Sequence, residues 1–373
     1  MSELCVLITN HALRGVGGSE MYVLDLATRL QERGHSPVVY SQRLGSVAER
    51  LLLATVPVVD QLQQLGRNPD VIHCHHTLAS TAALLRFPTT PAVYVCHDWA
   101  WHHDTPPRIK RIRKWIAVDR TVGSRMTLRE GRAPGEVLIL ANGVDLGRFQ
   151  RRSPLPQTPR RALVFSNYMT ARHVEILQTA CQMHGISVDA VGRGVGRPCE
   201  RPEQVLGKYD LVFAKGRCAW EAMACGAALI VCDVVGVGEL INPGNLERNV
   251  ARNFGRRMLR RPLEVATISA EIAKYSPQAA DRVCELVREQ ADLDRIVDRL
   301  IELYRQAIAE QVAEPATDFC EELREMSRLI AYCDRATELW QTNYDAGEAN
   351  TESPVQSQFA NGAPAEGQRQ QAA

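Results

Sequence analysis

Three places in this 373-residue chain combine residue types that could do chemistry. The first is "ITNHALRGVGGSEMYVLDLATRL", where Gly15, Gly17 and Gly18 lie between an apolar run and a helical pattern. Glycine lets a ligand come close to the backbone, and the unpaired amides of a helix N-terminus attract an anion. Gly17 and Gly18 are therefore candidates for holding a diphosphate; a plain tight turn is the alternative, since the spacing is neither GxGxxG nor a Walker A loop. The second place is a concentration of histidine: eight of the ten precede Asp104, in segments such as "DVIHCHH" and "VCHDWAWHHD". Both segments end runs that read as strands, and open α/β sheets bind ligands beyond the carboxyl ends of their strands. His73, His75, His76, His97, His102 and His103 show no HExxH spacing and no clear ligand set, so they are expected to line a polar cleft without a metal. His97 directly follows its strand and precedes Asp98, which makes it the candidate catalytic residue. The third place is "DLVFAKGRCAWEAMACGAALIVCD", Asp210 to Asp233. Here Lys215 and Arg217 flank Gly216 in a turn, and two cations beside unpaired amides suit a diphosphate. Glu221, read as opening a short helix that Gly226 ends, could accept hydrogen bonds from both hydroxyls of a ribose. Surface charge on a turn is the plainer reading of the same residues.

These segments need strands and helices to hold them. "CVLIT", "SPVVYS", "DVIHCH", "AVYVCH", "WIAVD" and "VLILANGV" read as strands separated by helical patterns, which predicts a parallel, doubly wound sheet over residues 1–150. "RRSPLPQTPRR" (151–161) is a basic, Pro-rich hinge. The alternation restarts with "ALVFSN", "SVDAVG", "DLVFAK" and "AALIVCD", predicting a second, smaller α/β domain over 162–275. In it, "VVGVGELI" (Val234 to Ile241) reads as a further glycine-bearing turn whose amides could face the same anion. A helical extension is expected over 276–345, with Leu293, Ile296, Val297, Leu300, Ile301 and Tyr304 on one stripe, and Phe319 to Trp340 either assembling with a partner or packing back. Residues 346–373 have no core-forming pattern and are expected to be disordered.

Composition narrows the class. A net charge of +1 gives no reason to expect a nucleic-acid partner. The chain starts without the pattern of a signal peptide, and its least polar stretch, Ala222 to Gly238, is too interrupted to span a bilayer. Eleven scattered cysteines without CxxC read as reduced thiols, so the expected location is cytoplasmic. "PRIKRIRKW" gathers Arg108, Lys110, Arg111, Arg113 and Lys114 near Trp99, Trp101 and Trp115. It reads either as a solvated face or as a peripheral contact with an anionic membrane at its inner face.

Taken in order from about Cys5 to Gln311, "GVGGSEMYVLDLATRLQERGH", "DVIHCHH", "VYVCHD", "VLILANGVDLGRF", "EAMACGAALIVCD" and "GVGELI" resemble family-4 glycosyltransferases. The resemblance implies the GT-B fold, two Rossmann-like doubly wound domains facing across a cleft, here with the second domain abbreviated. It implies a retaining hexosyltransferase that moves a hexose from a nucleotide diphosphate sugar to a glycan, lipid-linked or small-molecule hydroxyl acceptor, with no cofactor and no metal. By position, Gly17 and Gly18 would face the donor diphosphate, and His97 would stand beside the donor sugar. Glu221 would be the second glutamate of the family's E-x7-E motif, the one that looks like a ribose ligand. Departures accompany the match. An ungapped alignment sets Phe213 where the first glutamate belongs. "FSNYMTARH" replaces the family's Gly-Arg and Lys, leaving Arg172 as a substitute. Lys215 and Arg217 are then expected to supply the charge lost elsewhere. With these losses, a catalytically inactive nucleotide- or glycan-binding protein on the same scaffold is the alternative.

Overall fold

Runs of apolar residues alternate with amphipathic segments and build two separate sheets in the computed structural model, which describes residues 2–15, 17–98, 102–315, 319–331 and 333–334. The first sheet comprises β1 (Cys5–Thr9), β2 (Ser36–Tyr40), β3 (Val58–Val59), β4 (Val71–Cys74), β5 (Ala92–Cys96), β6 (Ile112–Ala117) and β7 (Val137–Ile139). Their order is β3-β2-β1-β4-β5-β6-β7, and every pairing is parallel. β1, β4 and β5 are buried along their whole length, because helices cover both faces of a parallel sheet. Those helices include α1 (Gly18–Glu32), α2 (Ser46–Leu53), α3 (Thr77–Arg86) and α4 (Arg120–Leu128). The strand order reverses at β1, so the residues just beyond β1, β4 and β5 converge at a switch point, where such sheets leave a crevice.

The second sheet is built from β8 (Arg161–Phe165), β9 (Ser187–Val191), β10 (Leu211–Ala214), β11 (Ala228–Asp233) and β12 (Gly236–Leu240), in the order β12-β11-β10-β8-β9. Around it lie α5 (Ala171–Gln182), α6 (Gly216–Ala224), α7 (Pro243–Val250), α8 (Val265–Ile272) and α9 (Pro277–Gln290). β12 corrects an expectation: Gly236–Leu240 of the supposed glycine turn form a strand, antiparallel to β11, with Val234, Val235 and Ile241 outside it. Its glycines serve packing, since a Cβ on Gly238 would come 2.9 Å from the Val231 Cβ.

The expected helical extension divides between the two cores. Val283 and Val287 of α9 enter the second domain's core. α10 (Leu293–Ala313) returns to the first, burying Leu293, Val297, Leu300 and Tyr304 there. The stripe read from the sequence is therefore real, and its partner is the first sheet. The chain crosses between domains twice. Val144 and Phe149 already belong to the second core, and Val144 accepts from Leu293 N (3.1 Å) while donating to the Ala291 carbonyl (2.7 Å). Residues 319–331, considered by themselves, are helical, with Phe319, Leu323, Met326 and Ile330 exposed. Residues 332 and 335–340 of the expected helix, the tail at 346–373, and Trp99 and Trp101 lie outside the described residues. Among the described residues, no helix is long and apolar enough to cross a membrane.

The basic run does not form one face. Arg111 is fully buried, and its guanidinium donates to the carbonyls of Leu84 (2.7 Å), Phe87 (3.0 Å) and Thr90 (3.0 Å). It thus satisfies acceptors left over at the end of α3. Arg113 donates to Gln311 Oε1 (2.8 Å), and Lys114 pairs with Glu310, both on α10. Only Arg108 and Lys110 of the five are exposed, which removes the basis for a membrane-binding patch. Arg111→Leu is expected to destabilise the protein by roughly 3 kcal/mol, because three carbonyls lose their donor. Urea denaturation measures this, and an unchanged midpoint would show that water replaces the guanidinium.

Candidate functional site

The carboxyl edge of the first sheet brings the histidines together as expected. His73 is on β4 and His75 is one residue past its end, two apart, so their side chains point the same way. His97 follows β5, and its ring Nε2 lies 2.8 Å from His75 Nδ1. The backbone amides of His97 and Asp98 both donate to Asp104 Oδ2, at 2.6 and 2.7 Å, which fixes the turn that carries His97. Tyr22 of α1 packs its ring edge-on against His97 (4.9 Å between centroids) and His75 (5.1 Å). His76 caps α3 with φ +62° and ψ 142°, a conformation that residues other than glycine rarely adopt. Its Nδ1 accepts from His11 N at 3.2 Å. Among the described residues, no group of three or more His, Cys, Asp or Glu is arranged to hold a metal ion.

Burial sets the charge state of these rings. It lowers the His97 pKa to about 4, with the nearby Arg217 charge adding to the effect. It lowers His73 to about 3. Both rings are therefore neutral at pH 7. An unfolded histidine titrates near 6.5, so between pH 6.5 and about 4 the unfolded chain binds more protons than the native one. The stability contributed by these rings is complete above pH 6.5 and is lost as pH falls toward 4. Asp104, raised by burial to about 6, acts in the opposite direction, as do Glu20, Asp119 and Glu221, but burial lowers His11, His35, His75, His76 and His103 as well. The denaturation midpoint is expected to drop between pH 7 and pH 5; a flat or rising midpoint would contradict this assignment.

The glycine loop meets α1 as expected, with Gly17 at the cap and Gly18 as the first helical residue. Gly18 is exposed, and a Cβ there would meet nothing within 4 Å. Gly17 is covered by the Glu20 side chain, whose carboxylate would lie 2.2 Å from an added Cβ. Its amide donates to the Gly15 carbonyl (2.9 Å). From the second domain, Arg193 reaches this loop: its Nη1 would lie 3.8 Å from a Cβ on Gly15. The sequence reading missed Arg193, because a residue 178 positions downstream of Gly15 (193 − 15) leaves no local signal.

In the second domain, a single residue, Lys215, joins β10 to α6. This corrects the reading of Phe213. Phe213 is not a replaced cleft residue: it lies within β10 and is fully buried in the core between the sheet, α5 and α8. Glu221 also sits mid-helix in α6 rather than at its start. Lys215 Nζ lies 2.5 Å from Asp233 Oδ2 and 4.7 Å from the centre of the exposed Tyr168 ring. The Gly216 amide donates to the Phe254 carbonyl (3.1 Å), so it does not face an anion. Arg172 is exposed on the first turn of α5.

Arg217 departs furthest from expectation. Its Nε donates to Glu221 Oε1 (2.7 Å), and its Nη2 pairs with Asp25 of α1 in the other domain. Asp25 also accepts from Arg148 (2.7 Å), which reaches Glu203 at 3.3 Å. Burial works against the Arg217 charge, but the Asp25 and Glu221 carboxylates more than offset it and hold its pKa above the ordinary value. Burial raises the Glu221 pKa, opposed by Arg217. Arg217 is a buried tie between domains in this arrangement, and one Glu221 oxygen is committed to it.

Two mostly parallel sheets flanked by helices, with their site residues at the carboxyl edges, define a GT-B protein. Residues 16–148 match the model of Glycosyltransferase Family 4. Among solved structures it is similar to Anabaena Alr3699/HepE in complex with UDP and glucose, at 15% identity and a TM-score of 0.57, covering 81% of this chain and 99% of that one. It is similar as well to a glycosyltransferase from Rickettsia africae ESF-5, at 14% identity and a TM-score of 0.55, covering 83% and 99%. A Listeria monocytogenes protein assigned as a UDP-N-acetylglucosamine 2-epimerase shares the fold, at 12% identity and a TM-score of 0.53, covering 85% and 98%. No curated protein sequence matches the chain.

Proposed function

We propose that this protein is a retaining glycosyltransferase that moves a hexose from a nucleotide diphosphate sugar to a hydroxyl acceptor. One observation carries the reading: Arg217 joins Asp25 of the first domain's α1 to Glu221 of α6, with His97 alongside. The glycine-bearing helix start and the second-domain motif thus stand on either side of one cleft. In this proposal Gly18 and the first-turn amides of α1 take the diphosphate, with Lys215, Arg193 and Arg172 as the cations around it. Glu221 meets the ribose through the oxygen that Arg217 leaves. Neutral His97 hydrogen-bonds a hydroxyl of the donor sugar. The acceptor oxygen bonds to the anomeric carbon as the bond from that carbon to the diphosphate breaks, and the acceptor proton ends on the leaving phosphate oxygen. Cations placed at that oxygen stabilise its developing charge.

Gly18→Ala tests the donor site cleanly, because the added methyl touches nothing in the protein. Native-state ligands raise apparent stability, so a thermal-shift series with UDP, GDP, ADP and CDP is expected to find one or more that stabilise the wild type. Gly18→Ala should then weaken binding at least about tenfold, the equivalent of 1.4 kcal/mol. Unchanged affinity would remove the diphosphate from this loop. Donor turnover decides the class of protein. Release of nucleoside diphosphate supports a transferase. Tight binding with no release from any donor supports an inactive binding protein, and interconversion of sugar epimers would place the chain with the epimerases of this fold.

A further inference from the structure

A buried line of side chains runs from α10 to the cleft, and nothing in the proposed chemistry uses its inner members. The Tyr304 hydroxyl lies 2.6 Å from His73 Nδ1. The His73 ring packs on His75 (4.6 Å between centroids), and His75 packs on His97 (4.7 Å). His75 Nδ1 then meets His97 Nε2 at 2.8 Å. Tyr304, His73 and His75 have no solvent exposure, and among the described residues the Nε2 atoms of His73 and His75 have no hydrogen-bond partner. Buried polar nitrogens without partners are costly, and two adjacent in one line call for an explanation beyond packing.

We propose that His75 is a positioning residue that fixes the orientation of His97 and turns its Nδ1 toward the cleft, and that Tyr304 anchors the far end of the line through His73. Two neutral imidazoles joined by one hydrogen bond share one proton between the facing nitrogens. Whichever ring holds that proton, His97 Nε2 is occupied, and only Nδ1 remains to meet a ligand in the cleft. Tyr304, held as a phenol by burial, donates to His73 Nδ1 and so places the His73 proton on Nε2. The logic is that of an orienting group behind a reacting histidine, built here from neutral rings, which avoids burying a charge. It also gives α10 a role in the site although it touches no substrate. The inference rests on the glycosyltransferase reading for its kinetic consequence, but its geometric content does not.

Three variants test it, with two independent readouts. His75→Leu removes the hydrogen bond. His75→Asn keeps a polar atom near the Nδ1 position. Tyr304→Phe removes the anchor while keeping the ring. In 15N-histidine spectra, the wild type is expected to show His97 Nε2 in a hydrogen bond, and His75→Leu should shift that signal to the position of an unbonded ring nitrogen; Tyr304→Phe should shift His73 toward a mixture of tautomers. In donor turnover, His75→Leu should lower kcat by up to about 100-fold through loss of alignment, with the Kd for nucleoside diphosphate unchanged, and His75→Asn should restore most of it. A folded His75→Leu protein with an unchanged His97 Nε2 signal and wild-type kcat would overturn the proposal. Should no donor turn over at all, the spectra still decide the positioning question while the transferase reading alone fails. If His75→Leu does not fold, Tyr304→Phe carries the test, and an unaltered His73 tautomer there would overturn the anchor.

Discussion

Replacing Arg217 with methionine should cost about 3–5 kcal/mol of stability, the usual penalty for breaking a buried ion pair from one side. Methionine matches the stem of arginine but leaves Asp25 and Glu221, both 4% exposed, facing each other with Arg148, bonded to Asp25, as the remaining counter-charge. Like charges in a desolvated site repel strongly. The penalty therefore belongs to the carboxylates left behind, and removing them should relieve it. Arg217→Met combined with Asp25→Asn and Glu221→Gln is expected to recover most of the loss. Urea denaturation of the single and triple variants measures both quantities. A single variant as stable as the wild type would mean that water reaches the two carboxylates, and the tie would lose its energetic meaning. Because of this cost, Lys215 and Gly18 are cleaner positions than Arg217 at which to probe anion binding.

His97→Ala should lower donor turnover by about 10²–10³-fold, the loss typical of removing one preorganised polar group from a reaction centre. Affinity for the nucleoside diphosphate should stay within a factor of two or three, since His97 faces the sugar in the proposed arrangement rather than the phosphates; that margin is under about 0.7 kcal/mol. The pH dependence provides a check on the charge state. With the ring lowered to about 4, wild-type turnover should show no inflection near 6.5 that disappears in His97→Ala. Such an inflection would place the ring in ordinary solvent. A His97→Ala protein that keeps full turnover would remove His97 from the reaction centre.

The strands of both sheets were legible in the sequence because buried parallel strands are continuous apolar runs. "CVLIT", "DVIHCH" and "DLVFAK" announce themselves in that way. Two strands were missed for opposite reasons. β3 is two residues long and carries too little pattern. β12 is rich in glycine, which reads as a turn until its close packing on Val231 is seen. At the site, the gathering of His73, His75 and His97 followed from their positions at strand ends. The fate of charged residues did not. Lys215, Arg217 and Arg111 were read as free cations, and each has an acceptor supplied from elsewhere: Asp233, Asp25 and the end of α3. Spacing reports neighbours within a helix or strand, as with Arg217 and Glu221, but says nothing about a partner 192 residues away. The Phe213 reading failed because an ungapped alignment does not tell which side of a strand a residue faces, and Phe213 faces the core.

The two crossings between domains lie side by side, joined through Val144 and the Ala291–Leu293 segment, and so close that a Cβ on Gly143 would come 2.8 Å from the Leu293 Cα. A single linker would let one domain swing and twist in any direction about a point. Two linkers bonded together define a line instead, and motion is reduced largely to rotation about it. In mechanical terms the joint is a door hinge rather than a ball and socket. Whatever opening angle a ligand requires, the two strand edges return to the same register when the door shuts. Gly143 is the clearance in that hinge, and a side chain there would bind it.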